Sequence, residues 1–405
     1  MTPVAVSGIG LVTPAGVGAE ATWRGVRDGV PTASTDPVLA GLAVDFCCRI
    51  EGFVPDAVLG RRLAGRTDRL IHLLLAAVKE AVADAGWAPG SWDGDRVAVV
   101  VGCGAGGLLT RDAECVNLHR GGTDAVSPLV LPKSLPNMAA GEAALALGAR
   151  GPSMTVMTAC ASGASAVVVA RDLLLAGRCD VAIAAGTEAR PSPLTAVGFH
   201  RLGTLSRRNH DPATASRPFD RDRDGFVLAE GAGVLVLERP ESVSARRAMP
   251  RALLSGCGTT TDAHHPTAPH PEGLGAERAL RAALRDGGLA PHHVDHVNAH
   301  GSSTRLNDLV EARVLCRVLP HGPSVTSAKG ALGHSLGASG AIEAALTVLT
   351  LQEQLVPPTA NLQDLDPAID ADVVHKAARP QEIRAAVSNS FGFGGHNVTL
   401  LFTRA

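Results

Sequence analysis

The stretch MTVMTACASGASAVVVARDLLLAG, residues 154–177, carries the pattern that decides the fold. Its first residues are typical of a strand, the small residues around Cys160 predict a tight turn, and the apolar run after Gly163 predicts a helix. A strand that leads through a tight turn into a helix is the building unit of α/β proteins. The stretch therefore predicts an α/β fold with Cys160 at the turn.

Strand and helix patterns alternate on both sides of this stretch, and a charged segment at 239–251 separates two halves of similar style. Before that segment, strands are predicted at 4–12, 96–102, 180–186 and 234–238, and helices at 66–85 and 163–176. After it, strands are predicted at 251–258, 296–300 and within 385–402, and helices at 275–287, 309–319 and 340–351. Several strands are continuous apolar runs, so we expect sheets that are buried on both faces.

The composition excludes several classes of function. The net charge of −2 leaves no basic field that would hold nucleic acid or an anionic membrane. No apolar run is long enough to span a membrane and the N-terminal residues do not resemble a signal peptide, so we expect a cytoplasmic protein. The complete lack of tyrosine excludes a tyrosyl acid or base. The eight cysteines form no CxxC pair and have no histidine at ligand spacing, so no metal site is expected.

Cys160 has the sequence context of a nucleophile. Its small neighbours let the main chain approach a ligand closely. The start of the following helix would bring free N–H groups and the positive end of the helix dipole near the sulfur. We therefore expect a lowered thiol pKa and an N–H group for an oxyanion. A single free cysteine is as often a small buried apolar residue, so this position alone leaves both interpretations open.

His300 and His334 lie in two glycine-rich turns, VNAHGSST (297–304) and SAKGALGHSLGASG (327–340). Turns that follow strands are where α/β sheets present catalytic groups. Two neutral imidazoles that donate N–H groups toward a carbonyl would stabilise an enolate or an oxyanion. Together with a thiolate they suit carbon–carbon bond formation between thioesters, and they equally suit a thioesterase.

Two further features surround these histidines. Lys329 is framed by small residues, so we expect it to be buried with a carboxylate partner, for which Glu311 and Glu343 are candidates. The segment SFGFGGHN (390–397) predicts a glycine-rich turn between two strands. Phe393 stands between two glycines there, where it either packs or swings as a gate.

Taken together, these segments resemble the β-ketoacyl-[acyl-carrier-protein] synthases, specifically the elongating type II ketosynthases of fatty-acid and polyketide assembly. The similarity extends over TACASG, RPFDRDRDGFVLAEGAGVLVLE (217–238), NAHGSST, SAKGALGHSLGASG and SNSFGFGG (388–395). It implies the thiolase fold, in which two similar βαβ-rich halves form a five-layer α-β-α-β-α sandwich. Residues 1–248 would be the half with the nucleophile Cys160, and 249–405 the half with His300 and His334.

The resemblance implies a role for each of these residues. Cys160 would accept an acyl chain from a carrier protein, and His300 and His334 would promote decarboxylation of malonyl-carrier protein and stabilise the enolate. Attack of the resulting carbanion on the Cys160 thioester would give a β-ketoacyl product. The backbone N–H groups of Cys160 and Phe393 would form the oxyanion hole, and Phe393 would gate the acyl pocket.

The resemblance also implies supporting residues. Lys329 with Glu311 would hold the site, with Glu343 as a second supporting carboxylate. Ser302 and Thr304 would contact the phosphopantetheine arm. No metal and no soluble cofactor is implied, because the substrates are carried on the phosphopantetheine of the acyl carrier protein.

The chain departs from the family pattern at the wall of the acyl pocket. Housekeeping members resemble GIGGL and SPFFVP there, whereas this chain has GAGGL with Ala105 and SPLVLP with Val130. Smaller side chains predict a deeper and less aromatic cavity, which favours the ketosynthase of a type II polyketide or polyene pathway. The alternatives are a housekeeping fatty-acid elongating ketosynthase, an acyltransferase or thioesterase that never condenses, and a non-catalytic partner similar to a chain-length factor.

The resemblance implies two kinds of protein partner. One is the acyl carrier protein, which is acidic, so we expect a basic patch near the pocket mouth. The candidates are Arg61, Arg62, Arg66, Arg69, Arg207 and Arg208. The other is a second subunit, either an identical chain in a homodimer or a chain-length factor in a heterodimer, and the low fraction of charged residues agrees with a large buried interface.

Overall fold

The computed structural model describes residues 2–88 and 90–405. The first half contains the strands β1 Val4–Thr13, β2 Gly16–Val17, β3 Ala33–Thr35, β4 Phe46–Cys48, β5 Val97–Gly102, β6 Ser153–Val156, β7 Val181–Glu188 and β8 Gly231–Glu238. Its helices are α1 Ala19–Arg27, α2 Pro55–Leu59, α3 Arg61–Arg66, α4 Arg69–Asp84, α5 Leu108–Gly121, α6 Val130–Ser134, α7 Met138–Leu147, α8 Ser162–Leu175, α9 Pro193–Arg201 and α10 Pro240–Ala245.

The second half contains the strands β9 Ala252–Thr261, β10 His296–Asn298, β11 Ser324–Thr326, β12 Leu355–Val356, β13 Asp372–Val373, β14 Arg379–Pro380, β15 Ala385–Gly392 and β16 His396–Thr403. Its helices are α11 Leu274–Gly287, α12 Arg305–Val318, α13 Lys329–Leu332 and α14 Ser339–Glu353. The boundary proposed at 248/249 lies between β8 and β9, just after α10.

The two halves repeat one strand order. The first runs β6-β5-β7-β8-β1 and the second β11-β10-β15-β16-β9, with β13 added at the outer edge. In both, the first three strands are parallel and the last two are antiparallel to their neighbours. The halves join where β1 pairs with β9, with Val4 opposite Leu254. The two similar halves expected from the sequence are confirmed.

The helices complete a sandwich of five layers. Helix α4 covers the outer face of the first sheet, and α11 covers the outer face of the second together with α12. Helices α8 and α14 lie between the sheets, which explains why most of the residues of both are buried. This is the predicted α-β-α-β-α order. Among the residues that the structure describes, no helix is both long and apolar enough to cross a bilayer.

The start of α4 differs from the sequence-based expectation. A helix was expected from Arg66, but residues 61–66 form the separate helix α3 and Thr67 is extended. The side chain of Asp68 accepts a hydrogen bond from the N–H of Leu70 at 3.1 Å, so it caps a new helix that begins at Arg69.

Two glycines bring the central helices together and thereby position the site. A Cβ atom on Gly163 of α8 would lie 2.6 Å from the amide nitrogen of Ala341, and one on Gly340 of α14 would lie 2.5 Å from that of Ala164. No larger side chain fits either position without separating the helices. This close crossing holds the turn before α8, with Cys160, against the loop before α14, with His334.

Candidate active site

Cys160 lies in a short 3₁₀ turn, Ala159–Ala161, between β6 and α8. The turn is sharp because Ala159 has a φ of 50°, in the left-handed region that non-glycine residues rarely adopt. Ser162 fixes the turn: its hydroxyl donates to the Ala159 carbonyl at 2.6 Å and accepts from the Thr158 N–H at 2.9 Å. The turn therefore presents the Cys160 sulfur at the N-terminal end of α8.

The electrostatics of the sulfur differ from the sequence-based expectation. A lowered thiol pKa was expected from the helix start, but burial raises the pKa of Cys160 to about 12. The positive charge of Lys329 and the backbone N–H groups of Phe393 and Cys160 oppose this rise. Desolvation outweighs these effects because the side chain is 9% exposed. The resting nucleophile is accordingly a protonated thiol, and these groups are arranged to stabilise its anion.

His300 follows β10 and is held through its main chain. Glu311 accepts hydrogen bonds from the backbone N–H groups of His300 and Gly301, at 2.9 and 2.8 Å. The side chain of Asn389 also donates to Glu311, at 3.2 Å. Burial raises the pKa of Glu311 to about 7, which the two backbone N–H groups oppose. The imidazole Nδ1 of His300 is buried and has no hydrogen-bond partner among the described residues.

His334 is fixed both by its main chain and by its ring. Its N–H donates to the Val227 carbonyl at 2.7 Å, and its carbonyl accepts from the Ala229 N–H at 3.0 Å. The ring Nδ1 lies 3.0 Å from the Ser339 hydroxyl. If that hydroxyl donates, the proton of a neutral His334 sits on Nε2, where it can be donated to a ligand.

The two imidazoles lie side by side, with ring centroids 5.4 Å apart and planes at 82°. Burial, then the charge of Lys329, lowers the pKa of both rings well below the usual 6.5, and His334 adds to this effect at His300. Both rings are therefore neutral at physiological pH. Neutral rings donate hydrogen bonds to a developing oxyanion without having to be deprotonated first.

Lys329 pairs with one of the two carboxylates that the sequence suggested. Its ammonium contacts the carboxylate of Glu343 and donates to the main-chain oxygen of His300 at 2.7 Å. Burial raises the pKa of Glu343 to about 7, and the charge of Lys329 opposes that rise. Of the two candidate carboxylates, Glu343 is the ion-pair partner of Lys329, because Glu311 is occupied by backbone N–H groups. Glu311 thus holds the N–H of His300, and Glu343 holds the lysine that binds the His300 carbonyl.

The turn between β15 and β16 closes over the nucleophile. A Cβ atom on Gly392 would lie 2.5 Å from the Thr158 carbonyl and 3.2 Å from the Cys160 nitrogen, so only glycine fits this contact. The next residue, Phe393, directs its backbone N–H toward the sulfur. Its half-buried ring lies 6.1 Å from the ring of Phe199 on α9.

A cavity of about 450 Å³ connects these groups with the surface. Cys160, His300 and His334 line its inner end, together with Phe393. Ser302 and Thr304 line its wall, and their hydroxyl oxygens are 3.0 Å apart. The size and the mixture of apolar walls with a few polar groups are typical of a small-molecule site.

The two residues expected at the wall of the acyl pocket lie elsewhere. Ala105 lines a second cavity of about 20 Å³, and Val130, half-buried on α6, lines neither cavity. Ala105 shares its cavity with Leu228 and Leu336, which belong to the same apolar cluster as Cys160.

The sequence reasoning missed Glu188, which links two loops of the site. Its buried carboxylate accepts the backbone N–H groups of Gly104 at 2.7 Å, Ala105 at 3.3 Å and Gly337 at 3.1 Å. Burial raises its pKa to about 7, and these N–H groups oppose that rise. The available signal was an acidic residue at the end of a strand whose first six residues are all small or apolar.

The six arginines proposed for a basic patch do not form one group. Arg69 is paired with the buried carboxylate of Glu230, and Arg66 with that of Glu142. Arg207 and Arg208 flank Asp224, which lines the large cavity. Only this last pair is tied directly to the cavity mouth. Over the described parts of the chain, no group of three or more His, Cys, Asp or Glu side chains could hold a metal ion.

Comparisons with known proteins agree with this geometry. Residues 1–242 match the sequence model of the family described as "Beta-ketoacyl synthase, N-terminal domain", and residues 251–363 match "Beta-ketoacyl synthase, C-terminal domain". The chain is 42% identical over 408 residues to the 3-oxoacyl-[acyl-carrier-protein] synthase 2 of Synechocystis sp., covering 99% of this chain and 98% of that protein.

Two solved structures are similar over the whole chain. The ishigamide ketosynthase/chain length factor gives a TM-score of 0.93 at 30% identity, covering 100% of this chain and 99% of that one. The second structure is a type II polyketide synthase acyl-carrier protein in complex with its ketosynthase bound to the hexaketide. It gives a TM-score of 0.92 at 29% identity, covering 100% of this chain and 99% of that one.

Proposed function

The chain belongs to the β-ketoacyl synthase family, and we propose that it joins an acyl group on Cys160 to malonyl-[acyl-carrier protein] by decarboxylative Claisen condensation. The product is β-ketoacyl-[acyl-carrier protein], which makes the chain an acyltransferase that forms carbon–carbon bonds. The observation that carries the proposal is the convergence of Cys160, His300 and His334 at the inner end of one cavity.

The first half-reaction transfers the acyl group to the enzyme. The sulfur of Cys160 loses its proton and attacks the carbonyl carbon of the acyl-carrier thioester, and the pantetheine thiol leaves with a proton. The backbone N–H groups of Cys160 and Phe393 stabilise the oxyanion of the tetrahedral intermediate, as they stabilise the thiolate. Because the thiol pKa is high, we expect the thiol to lose its proton only as the attack proceeds.

The second half-reaction forms the new bond. Neutral His300 and His334 donate hydrogen bonds to the thioester oxygen of the malonyl group, so the electrons of the breaking C–C bond collect there as carbon dioxide leaves. The α-carbon of the enolate then attacks the Cys160 thioester. The C–S bond breaks, the sulfur leaves as a thiolate and takes up a proton, and the β-ketoacyl chain stays on the carrier protein.

Lys329 acts as a positioning residue. Its contact with the His300 carbonyl fixes that residue, and its charge disfavours protonation of both imidazoles. Ser302 and Thr304 bind the amides of the phosphopantetheine arm, because their hydroxyls lie on the wall that the arm must pass. These side chains account for each step without a metal or a soluble cofactor. Unchanged turnover after dialysis against a chelator would agree with that.

For the pathway, we favour a type II polyketide or polyene system. The small residue Ala105 and the two structural neighbours from ketosynthase complexes support this choice. Housekeeping fatty-acid elongation is the second candidate, and the 42% identity to a 3-oxoacyl synthase 2 favours it. Measuring the chain length of the products that the enzyme forms from an unbiased set of acyl-carrier substrates would distinguish these two pathways.

The partners follow from the same reasoning. The acyl carrier protein docks at the cavity mouth near Arg207 and Arg208. A second subunit, an identical chain or a chain-length factor, covers the free side of β6, the end strand of the first sheet. Met154 on this strand is 38% exposed, which is unusual for a large apolar residue in a sheet of this kind.

The experiment that tests the proposal is intact-protein mass after incubation with acyl-carrier protein and then with malonyl-carrier protein. We expect an acyl adduct on the wild type, and its loss as β-ketoacyl-carrier protein and carbon dioxide appear. Cys160→Ala should form no adduct, whereas the control Cys115→Ala, at an exposed cysteine, should behave as the wild type.

The other outcomes discriminate among the alternatives. An adduct that is hydrolysed without release of carbon dioxide would identify a thioesterase. The absence of any adduct on the wild type would identify a non-catalytic partner of the chain-length-factor kind.

A further inference from the structure

Two serine hydroxyls form a hydrogen-bonded chain that ends at the ring of His334. The hydroxyl oxygen of Ser339 lies 3.0 Å from Nδ1 of His334 and 3.1 Å from the hydroxyl oxygen of Ser335. All three residues are buried, with 2% of His334, 3% of Ser339 and 5% of Ser335 exposed. Within the described parts of the chain, these three groups have no further side-chain partner. The direction of the two bonds therefore decides which ring nitrogen carries the hydrogen.

A strained turn holds the two serines in this arrangement. They flank the 3₁₀ turn Leu336–Ala338, and Ser339 is the first residue of α14. Leu336 has a φ of 46°, in the left-handed region that a leucine rarely adopts. The turn is anchored from outside, because the N–H of Gly337 donates to the buried carboxylate of Glu188 at 3.1 Å. The backbone thereby fixes the distance between the two hydroxyls.

Only one direction of the chain gives every hydroxyl hydrogen an acceptor. If Ser335 donates to Ser339 and Ser339 donates to Nδ1, both hydroxyl hydrogens are paired. If Nδ1 carries the hydrogen and donates it to Ser339, the hydrogen of one serine is left unpaired. Burying a donor without a partner costs free energy, so the first direction is favoured. In that direction the hydrogen of the neutral His334 ring sits on Nε2.

Nε2 is the ring nitrogen of His334 that a ligand can reach. It forms no hydrogen bond with the described residues and is not among their fully buried unpaired atoms. The residue lines the inner end of the large cavity together with Cys160 and His300. His300 differs in this respect, because its own Nδ1 is buried and no hydroxyl among the described residues pairs with it.

We propose that Ser339, aligned by Ser335, is a positioning residue that keeps the hydrogen of His334 on Nε2 before malonyl-carrier protein binds. The inference rests on the proposed condensation and adds two residues that act through His334. The thioester oxygen then meets a donor that is already in place as carbon dioxide leaves. No proton moves along the serine chain during the reaction, because the hydroxyls only select the form of the ring.

The test measures the two half-reactions separately in Ser339→Ala. Without the hydroxyl, nothing selects the form of the ring, and part of the protein presents Nε2 without a hydrogen. The kcat for release of carbon dioxide from malonyl-carrier protein should fall about tenfold. Its KM should change little, because the lost interaction acts on charge that develops in the transition state. Acylation of Cys160, followed by intact mass, should keep the wild-type rate, because His334 takes no part in that step.

Two further variants separate the hydroxyl from the packing of its side chain. Ser339→Thr retains the hydroxyl and should recover most of the kcat that Ser339→Ala loses. Ser335→Ala leaves Ser339 in place but removes its alignment, so it should lower the same kcat by a smaller factor, about threefold. Ser335→Ala also provides the test if thermal unfolding shows that Ser339→Ala does not fold.

The matched control is Thr350→Ala. Thr350 lies on the same helix, is 2% exposed and donates its hydroxyl to the Leu346 carbonyl at 2.9 Å. Its loss removes a buried hydroxyl of α14 that does not touch His334. Both half-reactions of this variant should therefore proceed at the wild-type rate.

The outcomes separate this inference from the proposed function. A wild-type kcat for carbon dioxide release in both Ser339→Ala and Ser335→Ala would overturn the role of the serines. An equal fall of acylation and carbon dioxide release would also overturn it, since that pattern indicates a general disturbance of the site. A wild type that releases no carbon dioxide from malonyl-carrier protein would instead reject the proposed function.

Discussion

The ammonium of Lys329 donates a hydrogen bond to the main-chain oxygen of His300 at 2.7 Å while it contacts the carboxylate of Glu343. Lys329 is 1% exposed and Glu343 is 2% exposed, so neither charge is solvated. One cation thereby fixes the position of His300 and keeps the two nearby imidazoles neutral. Stability and catalysis both depend on this group, and they can be separated by mutation.

Lys329→Met should destabilise the fold by about 3 kcal/mol, because it leaves Glu343 buried without its partner. The double variant Lys329→Met/Glu343→Gln should recover most of this loss but remain defective in condensation, since the His300 carbonyl still lacks its donor. Urea unfolding and turnover of malonyl-carrier protein measure the two effects. The control is Arg379→Met, which breaks an exposed ion pair with Asp372. It should lower the free energy of unfolding by less than about 1 kcal/mol.

The neutral state of His300 predicts a pH dependence of stability. Burial, Lys329 and His334 hold its pKa well below 6.5 in the folded state, whereas the unfolded chain binds a proton near pH 6.5. Stability from this group is therefore complete above pH 6.5 and is lost as the pH falls. The loss is about 1 kcal/mol between pH 6.5 and 5.5.

His300→Asn removes this dependence without breaking a hydrogen bond, because Nδ1 has no partner among the described residues. The difference in unfolding free energy between the wild type and this variant should shrink by about 1 kcal/mol from pH 6.5 to 5.5. Denaturant titrations at the two pH values measure it. His119→Asn, on the exposed face of α5, should follow the wild type. An unchanged difference would mean that His300 is protonated in the folded state.

The raised thiol pKa of Cys160 predicts the pH profile of its alkylation. A simple thiol is half ionised near pH 8.5, and its alkylation rate levels off above that value. Because burial raises the pKa of Cys160 to about 12, its alkylation by iodoacetamide should still rise about tenfold per pH unit between pH 7 and 9.5. Peptide mass mapping would follow this residue alone. A plateau below pH 8.5 would instead support the lowered pKa expected from the helix start.

The exposed edge of β6 predicts how subunits associate. A charge on the edge strand opposes pairing with a second chain, so Met154→Lys should weaken association of the subunits. Sedimentation at micromolar concentration measures the change in mass. Met249→Lys introduces the same charge at a position that is 83% exposed and away from this strand, and should leave the mass unchanged. An equal effect of both variants would locate the interface elsewhere.

The parts of the fold and site that depend on local pattern were predictable from the sequence. The apolar strands around residues 97–102 and 181–188 and the turn before α8 depend on neighbours in the chain, so pattern alone indicated them. The start of α4 was misjudged by three residues because the capping bond of Asp68 competes with helix propensity upstream. Helix propensity does not predict the outcome of this competition, because the outcome depends on the three-dimensional geometry of the capping hydrogen bond.

The details that depend on burial were not predictable. The thiol pKa of Cys160 was expected to fall because a helix start favours the anion, but the desolvation that reverses it arises from residues far away in sequence. The choice of Glu343 over Glu311 as the partner of Lys329 likewise depends on which carboxylate the backbone N–H groups already occupy. Glu188 was missed because its partners, Gly104, Ala105 and Gly337, belong to two separate loops.

Gly392 provides the most direct test of the oxyanion hole. An alanine there would bring its Cβ within 2.5 Å of the Thr158 carbonyl, so the β15–β16 turn would have to move away from the nucleophile turn. The Phe393 N–H would lose its position against the sulfur. Gly392→Ala should therefore lower kcat for acylation and condensation about 100-fold or more.

Its matched control is Gly141→Ala on α7. Nothing lies within 4 Å of a Cβ atom at that position, so alanine should be accepted and should favour the helix by about 1 kcal/mol. Burst-phase acylation separates the first half-reaction from the second, and thermal unfolding shows whether Gly392→Ala remains folded. A folded Gly392→Ala protein with a wild-type acylation burst would mean that the Phe393 N–H does not stabilise the oxyanion, and the N–H of Cys160 would then have to act alone.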